Sequence, residues 1–159
     1  MGQGMTRDRD AAGRPRNARP RDALGRPLAR TGNDSADPDP PPLAPVDAVD
    51  EAQRLLDGGH AFRAHEVLEA SWKATTGPER ALWRGLAQLA VGLTHRARGN
   101  ETGARALLRR AAETLAPFDD EQPYGVKVGE LRRWALAAAD GDAVGPMPRL
   151  RSQAADDLA

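Results

Sequence analysis

The chain has 159 residues, with 23 Lys and Arg against 23 Asp and Glu, so its formal net charge is zero. This length suits one ordinary domain, and 29% charged with 40% hydrophobic residues is typical of a soluble globular protein. The absence of cysteine excludes disulfides, thiolate catalysis and cysteine-bound metal clusters. No run approaches the roughly 20 apolar residues of a membrane helix. The polar N-terminus shows no signal-peptide pattern, so we expect a cytoplasmic protein that does not interact with membranes.

Residues 1–45 are predicted to form an extended N-terminal arm that is rich in Arg and Pro. Residues 7–30 contain eight Arg and three Asp, and residues 34–45 are acidic and dense in proline. The arm has no aromatic residue, and its only leucines are Leu24, Leu28 and Leu43. So little apolar surface cannot offset an ordering cost of roughly 1–2 kcal/mol per residue, which predicts a flexible or loosely docked arm.

Two other interpretations of the arm stay open. Its arginines could contact nucleic acid through phosphates, although the lack of aromatic residues for base stacking counts against this. Alternatively, the turn-rich segment from Asn17 to Leu28 straps onto the helical body. We expect nucleic acid to bind nowhere else on the chain, since the whole is electrically neutral.

From residue 46 onward the apolar residues recur with a period near 3.6, which predicts an all-α domain over residues 46–140. Asp47 is expected to cap the first helix, and Pro78 to lie in the first turn of the third. Residues 141–159 are expected to be a frayed tail. The predicted helices are joined by short turns into an antiparallel bundle and cover about 48–57, 61–75, 78–98, 101–116 and 127–139.

A short sequence repeat, with its two copies forty positions apart, supports this arrangement. It pairs Gly59, Ala64 and Leu68 with Gly99, Ala104 and Leu108. In each set a glycine ends one helix, and a small alanine five residues later lets the next helix pack closely. The spacing predicts helical hairpins similar to tetratricopeptide units. Two units fall short of the roughly three that a solenoid usually needs, which favours a closed bundle.

The third predicted helix is apolar nearly all round, which is typical of a buried helix. Its few polar residues, Arg84, Gln88 and His95, are therefore informative. One face of the second helix carries four further candidates: Phe62, His65, Glu69 and Trp72. If the two helices pack through these faces, the polar side chains converge, with Glu66 at the edge.

This cluster has a chemical and a structural interpretation. The spacing His65-Glu66-x-x-Glu69 is similar to a zinc-binding helix in which the last His is replaced, so His65, Glu69 and His95 could ligate a divalent metal. The structural alternative is a hydrogen-bonded network that fixes the register of two helices. No catalytic residue can be assigned, and we expect no cofactor apart from that hypothetical metal.

The two helices also carry a resemblance to a known family. The segments FRAHEVLEASWK (62–73) and GLAQLAVGLTH (85–95), followed by Arg98-Gly99-Asn100, are similar to the signature of the small bacterial helical family called domain of unknown function 309. The resemblance covers about residues 46–117 and implies an all-helical fold without a particular activity. The matching motif positions are His65, Glu66, Glu69, Trp72, Gln88 and Gly99.

Two functions therefore compete. The leading hypothesis is a non-catalytic interaction module that binds a protein partner through a groove near His65, Glu69 and Trp72. The alternative is a metal-dependent, hydrolase-like enzyme that uses the cluster of His65, Glu66, Glu69 and His95. The sequence does not predict an oligomeric state.

Overall fold

A computed structural model describes residues 40–152, so the predictions made for residues 1–39 and for residues 153–159 lie outside the described part. The described part is all-α, as predicted. None of the helices in this part combines the length and the hydrophobicity that a membrane-spanning helix requires. Its five α-helices are α1 (Pro45–Asp57), α2 (Ala61–Ala74), α3 (Arg80–Ala97), α4 (Glu101–Leu115) and α5 (Val128–Ala139), with short 3₁₀ turns at Ala116–Phe118 and Pro123–Gly125.

Two predicted helix starts were wrong by two or three residues. α1 begins at Pro45 after Ala44, whose φ of −56° and ψ of 147° are extended, and Asp47 lies in the first turn without capping the helix. Proline suits this first position because it lacks the N–H group that would have no helical acceptor there. α3 begins at Arg80, because Pro78 and Glu79 form a tighter turn in which Arg80 N donates to Gly77 O at 3.2 Å.

The two glycines of the sequence repeat end their helices in the same way. Gly59 and Gly99 both have φ of +79°, a left-handed conformation that glycine adopts without a steric cost. After α1, His60 N donates to Leu55 O at 2.8 Å, and after α3, Asn100 N donates to His95 O at 2.9 Å. Each bond joins an N–H group to the carbonyl five residues earlier, which is characteristic of the Schellman motif. This motif turns the chain sharply into the next helix. The further likeness to tetratricopeptide hairpins stays a prediction.

α3 is the central helix and packs against both α2 and α4. Its close approach to α4 depends on two glycines that lie two turns apart on the same face of α3. A methyl group at Gly85 would lie 2.5 Å from Leu115 Cγ, and one at Gly92 would lie 2.9 Å from Leu108 Cδ2. The largest fully buried side chains of the core are Trp83, Leu68, Leu82, Leu86, Leu89, Leu108, Leu115, Leu131 and Leu150.

The segment after α5 is packed on the body, which differs from the predicted frayed tail. Leu150 is 1% exposed, and its backbone N–H donates to Gln53 Oε1 of α1 at 2.8 Å. Lys127 N donates to Leu150 O at 2.9 Å, within an isolated antiparallel bridge between Val126 and Arg151. The segment thus ties the start of α5 to α1. Residues 153–159, the rest of the predicted tail, lie beyond the described part.

Candidate binding cleft between α2 and α3

α2 and α3 enclose a cleft that is open to solvent on one side and has a volume of about 170 Å³. Both helices contribute residues spaced three or four positions apart, so each wall is one helix face. Five of the eight candidate residues named from the sequence line this cleft. The complete lining consists of His65, Glu69 and Trp72 from α2 and Arg84, Ala87, Gln88 and Val91 from α3.

The α2 wall is a row of charged and aromatic side chains one turn apart. Glu69 lies in the middle, with Oε2 3.5 Å from His65 Nε2 and Oε1 3.5 Å from Lys73 Nζ. The Phe62 ring packs on the His65 ring, with 5.4 Å between their centroids. Because the carboxylate can interact with both neighbours, Glu69 is held along the helix surface.

Trp72 lines the cleft from the last turn of α2 and is contacted by Arg80, the first residue of α3. The Arg80 guanidinium carbon lies 4.3 Å from the centre of the Trp72 ring, and Arg80 Nε donates to the Trp72 carbonyl at 3.2 Å. A guanidinium over an indole face is an attractive cation–π pair. Arg80 therefore supports the side chain that gives the cleft its largest apolar surface.

The α3 wall differs from the prediction of a helix buried all round. Arg84 is exposed and forms no ion pair among residues 40–152, while Ala87 is buried and Val91 is half-buried. α3 is covered by α2 and α4 on two sides, so one strip remains open, and Arg84 and Val91 mark it. This strip gives the cleft an apolar floor beside a cationic edge.

Gln88 belongs to both the cleft and the contact with α4. Its Oε1 atom lies 2.8 Å from the Thr114 hydroxyl, which in turn lies 2.9 Å from the carbonyl of Arg110. Gln88 therefore bonds to α4 while it also lines the cleft. The single hydrogen-bonded network predicted around His65, Glu69 and Gln88 is therefore divided, since His65 and Glu69 pair along α2 and Gln88 bonds to α4.

Phe62, Glu66 and His95 do not line the cleft. His95 lies in the last turn of α3, where its Nδ1 atom is 3.1 Å from Asn100 Nδ2. Asn100 Oδ1 caps α4 by accepting from Gly103 N at 3.0 Å, so the amide NH₂ faces His95 and Nδ1 accepts. Within residues 40–152 no group of three or more His, Asp or Glu side chains could hold a metal ion. The proposed trio of His65, Glu69 and His95 is accordingly not assembled.

Ala87, Val91 and Arg80 were not predicted from the sequence as parts of this site. Ala87 and Val91 are one turn apart on α3, and their spacing is also that of ordinary core residues. Arg80 could not be linked to Trp72 because the turn between α2 and α3 separates the two residues. Apolar periodicity predicts helices but not the path of a turn. What the cleft offers chemically is an apolar floor between two polar edges, one acidic on α2 and one cationic on α3.

The fold and the cleft define a helical-bundle domain with an open groove between its second and third helices. Residues 49–107 match the family model described as Domain of unknown function (DUF309), and the predicted resemblance to this family is confirmed over that stretch. All seven residues that line the cleft fall within it. The site therefore lies in the stretch that matches the family model and not in the flanking segments.

Two relatives show what the chain is similar to. An uncharacterized protein of Aquifex aeolicus (strain VF5) is 27% identical over 107 residues, which cover 67% of this chain and 32% of the relative. The uncharacterized protein YpuF of Bacillus subtilis (strain 168) is 40% identical over 75 residues, which cover 46% of this chain and 41% of the relative. The matches thus span well under half of each relative. No solved structure matches the chain.

Proposed function

We propose that the chain is a helical interaction module that binds a short segment of a partner protein in the cleft between α2 and α3. The observation that carries the proposal is the composition of the cleft: Trp72, Ala87 and Val91 form an apolar floor, and Arg84 stands beside it as an exposed cation. Interfaces draw most of their binding energy from a few anchors in such apolar pockets with polar rims.

The size of the cleft favours a side chain over a free small molecule. Its volume of about 170 Å³ is below the roughly 300–1,000 Å³ of pockets that enclose drug-sized ligands. A cleft of this size receives one or two side chains of a larger partner, while the rest of that partner lies on the helices. The partner segment is expected to carry an aliphatic or aromatic anchor and, beside it, a carboxylate for Arg84.

The experiment is affinity capture with the full chain, followed by purification of the captured protein and measurement of its dissociation constant. Arg84→Glu places a carboxylate where the partner is expected to bring its own. It should weaken binding by tenfold or more, because like charges across an interface repel. The matched control is Arg133→Glu, which makes the same change on an exposed residue of α5.

Unchanged affinity in Arg133→Glu together with a tenfold loss in Arg84→Glu supports the proposal. Equal affinity in the two variants would place the partner elsewhere on the protein and overturn it. Circular dichroism of both variants checks that the helices are retained, since both positions are exposed and neither substitution changes the core.

A further inference from the structure

The described chain begins at Pro40, five residues before the start of α1 at Pro45. α1 and α2 pack together and are joined by only three residues, so they are antiparallel. The start of α1 at Pro45 therefore lies alongside the end of α2 at Ala74. Because Trp72 is in the last turn of α2, the chain enters α1 at the Trp72 end of the cleft.

The length of that chain is sufficient for it to return along the whole cleft. Residues 29–39 separate the segment Asn17–Leu28 from Pro40. Eleven extended residues span up to about 36–40 Å, whereas the 14 residues of α2 extend over roughly 21 Å. The segment Asn17–Leu28 can thus reach every residue that lines the cleft.

The chemistry of the segment matches the two edges and the floor of the cleft. In an extended chain alternate side chains share one side, which groups the even-numbered residues Asp22, Leu24, Arg26 and Leu28. This side presents a carboxylate for Arg84, aliphatic groups for the floor and a guanidinium for the carboxylate of Glu69. The other side, with Arg21, Ala23, Gly25 and Pro27, carries no large apolar group.

Two further properties lower the free-energy cost of binding this segment. Pro20 and Pro27 restrict the backbone before it binds, so less conformational entropy is lost. The covalent link through residues 29–39 makes the encounter intramolecular, with an effective concentration on the order of millimolar. A weak match in solution is therefore sufficient for occupancy within one chain.

We propose that the segment Asn17–Leu28 docks in the cleft between α2 and α3 of its own chain, through Asp22, Leu24, Arg26 and Leu28, and competes there with the partner segment. This inference rests on the proposed function in one respect, because it assigns a second occupant to the same cleft. It makes the arm an intramolecular competitor whose displacement precedes partner binding.

The experiment uses the full chain and exploits its lack of native cysteine. Ala23→Cys carries a nitroxide spin label on the side of the segment that faces away from the cleft. The readout is paramagnetic broadening of the three tryptophan indole N–H signals, from Trp72 in the cleft, Trp83 in the core and Trp134 on α5. Docking should at least halve the Trp72 signal and leave the Trp134 signal nearly unchanged.

A second substitution distinguishes docking from mere proximity of a tethered arm. Leu24→Ser in the labelled chain should restore most of the Trp72 signal, because the anchor is lost while the tether length is the same. Leu43→Ser, which changes an exposed leucine outside the segment, should leave the broadening in place. Trp72 broadening that is absent, or that persists unchanged in Leu24→Ser, would overturn the docking.

The two proposals can fail separately in this design. If the captured partner binds Arg84→Glu and Arg133→Glu equally while the Trp72 signal is broadened, the proposed function fails and the docking stands. If the partner binds at the cleft and the Trp72 signal is never broadened, the docking fails and the proposed function stands. If both hold, Leu24→Ser should also raise partner affinity by several-fold, because the competitor has been removed.

Discussion

The guanidinium of Arg80 lies 4.3 Å from the ring centre of Trp72 and donates from Nε to the Trp72 carbonyl at 3.2 Å. The two residues belong to successive helices and are separated by the turn at Gly77 and Pro78. This contact joins the end of α2 to the start of α3 beside the cleft that Trp72 lines. The orientation of Trp72 is therefore coupled to the turn between the helices.

Removing this support should weaken partner binding without unfolding the protein. Arg80→Ala deletes an exposed cation–π pair, which contributes on the order of 0.5–1 kcal/mol, so we expect partner affinity to fall by a few-fold. The control is Arg96→Ala, because Arg96 lies over Trp134, with 5.9 Å to the ring centre, outside the cleft. Titration calorimetry with both variants checks this, and an equal loss in the two would contradict the role assigned to Trp72.

The close approach of α3 and α4 should not tolerate an added methyl group. Gly85→Ala and Gly92→Ala each place a carbon within 3 Å of a leucine of α4. Overpacking of this kind costs typically about 1–3 kcal/mol, more than alanine gains over glycine in a helix. Urea denaturation measures the loss of unfolding free energy. Gly145→Ala is the control, since nothing lies within 4 Å of an added Cβ there.

The segment after α5 should contribute to stability as a folded part of the domain. Leu150→Ala removes a side chain that is 1% exposed, and such truncations cost about 2–5 kcal/mol. Leu43→Ala, at a leucine that is 40% exposed, should change the unfolding free energy by less than about 0.5 kcal/mol. Similar unfolding midpoints for the two variants would mean that the segment does not pack as described.

The ion pair of Arg151 with Asp50 should make the packing of the segment after α5 against α1 sensitive to acid. Arg151 donates two hydrogen bonds to Asp50, at 2.6 and 2.7 Å, and they hold the pKa of that carboxyl below its ordinary value of 3.8. When folding lowers the pKa of a carboxyl, the folded protein gains stability at pH values above the unfolded-state pKa. That stability is lost as the pH falls through the folded-state pKa. Because half of the Asp50 side chain is exposed, the gain is only about 0.2–1 kcal/mol.

The comparison of Asp50→Asn with the wild type at two pH values checks this expectation. At pH 7 the variant should be less stable by that amount. Near pH 2 the difference should shrink, because the wild-type carboxyl is then increasingly protonated. A difference that grows toward acid would contradict the assignment.

Much of the bundle could be predicted from local signals. The helices α2, α4 and α5 were placed to within about a residue because apolar periodicity coincides with breakers such as Gly59 and Gly99, whose left-handed φ values end helices. The faces of α2 and α3 that form the cleft followed from the same periodicity. His65 and Glu69 meet because residues four apart in a helix are neighbours.

What could not be predicted depends on contacts that are distant in the sequence or lie in turns. The backbone of Leu150 is held by hydrogen bonds with Gln53 and Lys127, which are distant in the sequence, and one isolated leucine carries no periodicity. His95 was expected in the cluster because it shares a face of α3 with Arg84. Its position in the last turn instead brings it to Asn100, the cap of α4. Two residues on one face of a helix can therefore lie too far apart along its axis to belong to the same cluster.

The most direct test of the binding cleft is a titration of the purified partner into the full chain, with the indole N–H signals of its three tryptophans observed by NMR. Binding in the cleft should shift the Trp72 signal and leave the Trp134 signal unchanged, because Trp134 lies on α5 and donates to Gly145 O at 2.9 Å. In Arg84→Glu the same titration should require at least tenfold more partner. A shift of Trp134 without a shift of Trp72 would contradict the account.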